Sequence, residues 1–202
     1  MAYELENKLV VGVSSRTLFD LTFENKIFEE EGMEAYSRYQ VEHEDELLQP
    51  GPGFPLVRAL LNLNELPGME GRVEVIIMSR NSPDTSLRVF KAIEHYGLRI
   101  TRAVLAGGAS LAPYLTAFKT DLFLSACEED VQRAIDSNIA AGIICTEGIT
   151  TYDCDRRIRQ IRVAFDGDAV LFSDESERIF QEQGLEAFEE NERRNADNPL
   201  QA

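Results

Sequence analysis

The sequence predicts an α/β fold, Rossmann-like, in which a mainly parallel sheet is flanked by helices. Three observations carry that prediction. Short apolar runs rich in Val, Ile and Leu recur along the chain between turn-forming residues. Segments with apolar residues at spacings of three and four lie between them, as amphipathic helices require. The resulting alternation of strand and helix is the order that builds βαβ units.

The first strand candidate is KLVVGVS at 8–14. The helical stretch IFEEEGMEAY follows at 27–36, then the turn Pro50-Gly51-Pro52-Gly53 and a helix over 56–64. RVEVIIMS at 72–79 is the second strand candidate, and Leu87, Phe90, Ile93 and His95-Tyr96 mark an apolar face on a helix over 85–96. RITRAVL at 99–105 is a third strand; Gly107-Gly108 after it reads as a tight turn, because the G-x-x-x-x-G-K-[ST] pattern of a phosphate loop is absent. DLFLSA at 121–126, a helix over 128–137 carrying Val131, Ala134 and Ile135, and AAGIIC at 140–145 continue the alternation. A sixth strand is expected at 161–166, IRVAFD. The charged segment 183–197, with Leu185 and Phe188 on one side, is expected to be a surface or cap helix.

A chain of 202 residues that is 44% hydrophobic can bury a full core. Its formal net charge of -16 repels phosphate backbones, so DNA and RNA polymers are excluded as partners. A small phosphate ester is not excluded, because one divalent cation and a few donors reverse the field inside a pocket. The N-terminus lacks a signal-peptide pattern, no apolar stretch nears the ~20 residues of a membrane span, and a cytoplasmic location without membrane partners is expected. Cys127, Cys145 and Cys154 have no C-x-x-C spacing and no nearby His, so free thiols are expected, with Cys145 buried at the end of its apolar run. His43 and His95 stand in helical patterns without a nucleophile motif and read as ordinary helix residues.

The chain also repeats itself. At an offset of 152 residues IFEEEGMEAY (27–36) aligns with IFQEQGLEAF (179–188), identical at Ile27, Phe28, Glu30, Gly32, Glu34 and Ala35 and conservative elsewhere. The register holds back to Val11 and Val163 and forward to Leu48-Gln49 and Leu200-Gln201. Residue 161 therefore opens a second copy of the unit, one expected to be truncated in this chain.

That second copy starts with Asp166-Gly167-Asp168 at the end of its strand candidate. Residues i and i+2 of an extended segment point the same way, so the two carboxylates converge, and Gly167 admits close approach of a ligand. Open α/β sheets bind ligands at the carboxyl ends of their strands. Two close carboxylates repel each other, and Mg²⁺ bound between them relieves that repulsion and attracts phosphate. One carboxylate then suits attack on phosphorus and the other proton transfer. The same Asp-x-Asp pattern is common in solvated turns; the apolar strand before it and the Ala169-Val170-Leu171-Phe172 run after it favour a site.

VAFDGDAVLFSDESERI (163–179) resembles the first catalytic motif of the cytosolic 5′-nucleotidase I family, within the haloacid-dehalogenase-like phosphatases. VGVSSRTLFDL (11–21), PGPGFPLVRALLNLN (50–64) and LAGGASLAPYL (105–115) resemble its N-terminal half, so the similarity runs over essentially the whole chain. The resemblance implies a Mg²⁺-dependent hydrolase that converts nucleoside 5′-monophosphates to nucleosides and phosphate through an aspartyl-phosphate. It implies Asp166 as nucleophile and Asp168 as general acid/base, with the Asp166 carboxylate and the Asp168 carbonyl on the metal, and a cap contributed by the segment that follows.

Members of that superfamily also use a Ser or Thr after a second strand, a later Lys and a further acidic pair. The first copy cannot supply them. Ser14 and Arg16 stand where Asp166 and Asp168 stand in the second copy, Ser79 keeps the hydroxyl, but Ser110 falls where the Lys is expected and Ser125-Ala126 where the acidic pair is expected. The expected organisation is a degenerate, non-catalytic domain at 1–150, a linker at 151–160, and at 161–202 the beginning of the catalytic unit with its first motif and cap helix. A structural role is the expectation for the first domain; the alternative is an anion pocket built from Ser14, Ser15, Arg16 and Ser79 that holds nucleotide without cleaving it. A second functional reading is a non-enzymatic nucleotide-binding or oligomerisation protein that keeps Asp166 and Asp168 as a remnant. Homo-oligomerisation is one way for the strand at 161–166 to find a neighbour.

Overall fold

The computed structural model describes residues 5–145, 160–164 and 172–198. The chain divides into two compact units, Met1–Ile161 and Arg162–Ala202. The first holds five strands: β1 (Leu9–Val13), β2 (Val73–Ser79), β3 (Arg102–Leu105), β4 (Leu122–Ser125) and β5 (Ala141–Ile143). Helices α1 (Ser15–Leu18), α2 (Thr22–Glu31), α3 (Met33–Glu42) and α4 (Phe54–Asn62) connect β1 to β2, α5 (Leu87–His95) precedes β3, and α6 (Ala112–Ala117) and α7 (Glu128–Ile135) bracket β4. The second unit shows α8 (Glu175–Gln183) and α9 (Leu185–Asn195).

All five strands pair in parallel, in the order β3-β2-β1-β4-β5. β1 is central, with Val11 opposite both Val75 of β2 and Leu122 of β4. The two-residue period of a strand sends alternate side chains to opposite faces, and both faces are covered, which is why these strands are almost wholly apolar. Val11, Val13, Val73, Val75 and Ile77 pack with α4 and α5 through Val57, Leu60, Leu61, Val89, Ala92 and Ile93. Val10, Ile76, Met78 and Phe123 pack with α6 and α7 through Leu115 and Ala134.

The turn Pro50-Gly51-Pro52-Gly53 does more than punctuate the chain. Gly51 N–H donates to the Leu18 carbonyl at 2.9 Å and Gly53 N–H to the Thr17 carbonyl at 2.8 Å. A Cβ on Gly51 would stand 2.7 Å from the Phe19 carbonyl carbon, and one on Gly53 2.3 Å from Thr17 Cγ2. The two glycines let this turn lie backbone to backbone against residues 17–19, and so fix the loop that leaves β1.

Some expectations are corrected. On α5 the buried stripe is Val89, Ala92 and Ile93, whereas Leu87 and Phe90 are exposed; on α7 Ile135 is exposed while Val131 and Ala134 are buried. Cys145 is exposed, because β5 is a three-residue edge strand whose last residue, Ile143, is itself half exposed. Residues 161–164 of the sixth strand candidate form no strand, and Val163 is exposed; alternation marks a chain able to enter a sheet but does not supply a neighbour to pair with. The remaining two residues of that candidate lie outside the described ones.

The two helix pairs share one geometry. Gly32 between α2 and α3 has φ 87° and ψ −177°, and Gly184 between α8 and α9 has φ 85° and ψ −178°. Gly32 N–H donates to the Phe28 carbonyl and Gly184 N–H to the Phe180 carbonyl. Phe28 meets Tyr36 at 6.0 Å and 79°, and Phe180 meets Phe188 at 6.1 Å and 79°.

Candidate functional site

A cavity of about 350 Å³ opens in the first unit at the carboxyl ends of the strands. Its position follows from topology. From β1 the chain builds outward through β2 and β3, then returns to the other side of β1 for β4 and β5, so the loops after β1 and β4 diverge and leave a crevice between them.

The loop after β1 supplies Ser14, Ser15 and Arg16. Ser14 N–H donates to the Leu124 carbonyl of β4 at 3.0 Å, which ties the loop across the sheet. The Ser14 hydroxyl accepts from Thr17 N–H at 3.3 Å and shares a 2.9 Å hydrogen bond with the Thr17 hydroxyl. Ser15 Oγ and Ser79 Oγ, the latter at the end of β2, lie 3.2 Å apart, and Ser79 Oγ also accepts from Asn81 N–H. Arg16 is half-buried and makes no hydrogen bond or ion pair among the described residues.

The loop after β2 supplies Arg80 and Asn81, and the turn after β3 folds around it. Ala106 N–H donates to the Ser79 carbonyl, Gly107 N–H to Asn81 and Gly108 N–H to Arg80, at 2.9, 3.2 and 2.6 Å. Gly107 and Gly108 take φ of 55° and 89°, left-handed values that suit glycine. Across the crevice Ser125 Oγ accepts from Cys127 N–H at 3.1 Å. The Arg80 guanidinium lies 3.4 Å from Asp130 and 3.2 Å from Glu129.

The α2–α3 pair forms the apolar wall with Leu21, Phe28, Met33 and Tyr36. A buried polar chain holds it there. Arg88 of α5 pairs with Glu24 of α2 at 2.6 Å and donates to Gln40 of α3 at 3.2 Å and to the Glu46 carbonyl at 3.1 Å. Gln40 donates to the Tyr36 hydroxyl at 3.0 Å, and Asn81 donates to the same oxygen at 2.9 Å. Burial raises the Tyr36 phenol above its ordinary value, opposed by the hydrogen bonds from Gln40 and Asn81.

Ser14, Ser15, Arg16, Ser79 and Ser125 are thus brought together in one crevice, and Ser110 does not line it. Arg80, Asn81, Asp130 and Tyr36 were not singled out in the sequence. Arg80-Asn81 directly follow a strand, so the rule that ligands sit at strand ends points to them; Tyr36 arrives through the tertiary fold of a helix pair and has no local signal. His43 and His95 lie outside the crevice, His43 stacked on Tyr39 at 3.9 Å. Asp166 and Asp168 lie outside the described residues, as does Cys154. Among the described residues no group of three or more His, Cys, Asp or Glu is arranged to hold a metal ion, and no helix is long and apolar enough to cross a membrane.

An open parallel α/β sheet flanked by helices, with a crevice at its topological switch point, defines a Rossmann-like fold. The family described as 5′-nucleotidase matches residues 1–202, and the chain belongs to it. It is similar to cytosolic 5′-nucleotidase 1B of Homo sapiens, 39% identical over 188 residues, which is 91% of this chain and 30% of that relative. The chain therefore spans about 30% of the relative's length. No solved structure matches the chain.

Proposed function

We propose that this chain serves a 5′-nucleotidase that hydrolyses nucleoside 5′-monophosphates to nucleoside and phosphate, with the chemistry at Asp166 and Asp168. The observation that carries the reading is the family match over residues 1–202, which includes Asp166-Gly167-Asp168.

In this mechanism an Asp166 carboxylate oxygen attacks phosphorus as the bond to the 5′ oxygen breaks, giving an aspartyl-phosphate. Asp168, protonated, gives its proton to the departing alkoxide. It then takes a proton from water, whose oxygen attacks phosphorus and frees Asp166 and inorganic phosphate. The donor set fits Mg²⁺: Asp166 and Asp168 offer hard oxygen ligands, whereas the crevice of the first unit offers hydroxyls, two arginines and an Asp130 already paired to Arg80. When bound, Mg²⁺ neutralises charge on the phosphoryl oxygens.

The likeness of α2–α3 to α8–α9, down to the paired glycines and ring contacts, supports reading residues 161–202 as the opening of a second copy of the first unit. The test is phosphate release from AMP in Mg²⁺ by the full-length protein. Asp166→Asn is expected to reduce the rate by several orders of magnitude, and an unchanged rate overturns the assignment.

A further inference from the structure

We propose that the crevice of the first unit is a second, non-hydrolytic binding site for a small phosphate ester carrying a flat ring. Its lining residues named here all belong to the first unit, and it does not rest on a catalytic role for Asp166 and Asp168.

Three observations carry this. The first is sign. Among the described residues the ionised side chains lining the cavity are Arg16, Arg80 and Asp130; Arg80 is paired with both Asp130 and Glu129, which leaves Arg16 as the lining cation not held by a carboxylate, in a chain whose net charge is -16. Asp130 is already engaged by Arg80, and Arg16 has no partner among the described residues. A guanidinium without a carboxylate, beside buried hydroxyls, is a donor set suited to phosphate oxygens.

The second is shape. The polar floor of Ser14, Ser15, Ser79 and Asn81 faces an apolar wall formed by Leu21, Phe28, Met33 and Tyr36. Phe28 and Met33 remain substantially exposed although they line the cavity, which offers a flat group a surface to cover. A volume of about 350 Å³ lies within the usual range for small-molecule sites.

The third is inertness. Cleavage through a serine requires a base within hydrogen-bond reach of its hydroxyl. Ser14 Oγ is bonded to Thr17 and Ser15 Oγ to Ser79, and no His lines the cavity. The site has the donors to hold a phosphate, and its one lining carboxylate among the described residues, Asp130, is paired to Arg80 and hydrogen-bonded to none of the serine hydroxyls.

The experiment is calorimetric titration of the 202-residue chain with AMP, inorganic phosphate and adenosine, in EDTA so that no divalent cation contributes. AMP is expected to bind more tightly than phosphate, and adenosine most weakly. Arg16→Ala is expected to weaken both AMP and phosphate by about tenfold or more, the usual cost of a lost charged hydrogen bond. Phe28→Ala, on a part-exposed side chain, is expected to weaken AMP but leave phosphate unchanged. Asp166→Asn is expected to leave binding intact. Circular dichroism checks that each variant folds, and Arg16→Gln replaces Arg16→Ala if the latter does not. No heat with millimolar AMP, equal affinity in the Arg16 variants, or loss of binding in Asp166→Asn each overturns the proposal. The last result would place the ligand at the second copy and leave the nucleotidase reading standing.

Discussion

Arg88 and Glu24 are each less than a tenth exposed and 2.6 Å apart, and the stability of the crevice wall depends on their pairing. Removing one member leaves an uncompensated buried charge, which costs roughly 3–5 kcal/mol. Glu24→Ala should lower unfolding stability by that order in urea titration, and adding Arg88→Met should recover part of the loss. Tyr36 gives a pH-dependent counterpart. Below its ordinary value of 10.0 the phenol is neutral in both folded and unfolded chains. Above it the unfolded chain ionises first, because burial holds the folded pKa higher, so stability falls as pH rises towards that folded value. Tyr36→Phe should make this alkaline fall shallower, while costing about 1–3 kcal/mol at neutral pH because Asn81 and Gln40 lose an acceptor.

Gly32 and Gly184 determine how two helix pairs turn. Both take backbone angles that side chains rarely adopt, and a Cβ at either would meet nothing within 4 Å. Substitution is therefore strained without any clash. Gly32→Ala should destabilise the first unit by about 1–3 kcal/mol, read by thermal unfolding. Gly184→Ala should reduce the helical signal of the second unit. Gly12 is the opposite case: its φ is not in the left-handed region, but an added Cβ would stand 3.2 Å from Leu115, Met78 and Phe123, so Gly12→Ala acts through crowding. Much of this level is legible in the sequence. Five strands and the helices α4, α5 and α7 are marked by apolar runs and three-to-four spacing, and the repeated glycine is visible by alignment, whereas the short helices α1 and α6 carry no such signal. The misplaced faces of α5 and α7 were not legible, because Leu87, Phe90 and Ile135 are as apolar as the residues that are buried. Only the packing partners decide between them.

For the whole molecule, the proposed division of labour sets an expectation for the chain by itself. In the first copy Ser14 and Arg16 occupy the positions of Asp166 and Asp168, and Ser110 and Ser125-Ala126 the positions expected of the lysine and the acidic pair, so under the proposed reading the first unit does not itself supply that chemistry. Each missing preorganised donor lowers catalysis by about 10²–10³. We expect Asp166→Asn to bring phosphate release from AMP to background, because the first unit has no carboxylate at the matching position, and robust Mg²⁺-dependent turnover by that variant would refute this. The crevice itself was half legible. Ser14, Ser15, Arg16 and Ser79 follow strands and can be found by that rule, whereas the wall contributed by Phe28 and Tyr36 comes from long-range placement that no local pattern encodes.

The strand order carries a consequence for biosynthesis. β1 is made first, yet it occupies the middle of the sheet, with β2 and β4 as neighbours. Translation proceeds from the N-terminus, so Leu9–Val13 emerge long before Val73–Ser79 and longer still before Leu122–Ser125. Throughout that interval an apolar segment with two open edges must be sheltered on the ribosome, by the α1–α4 segment that follows it or by a chaperone. Sequence changes that slow the arrival of β4 would then lower yield without altering the finished protein.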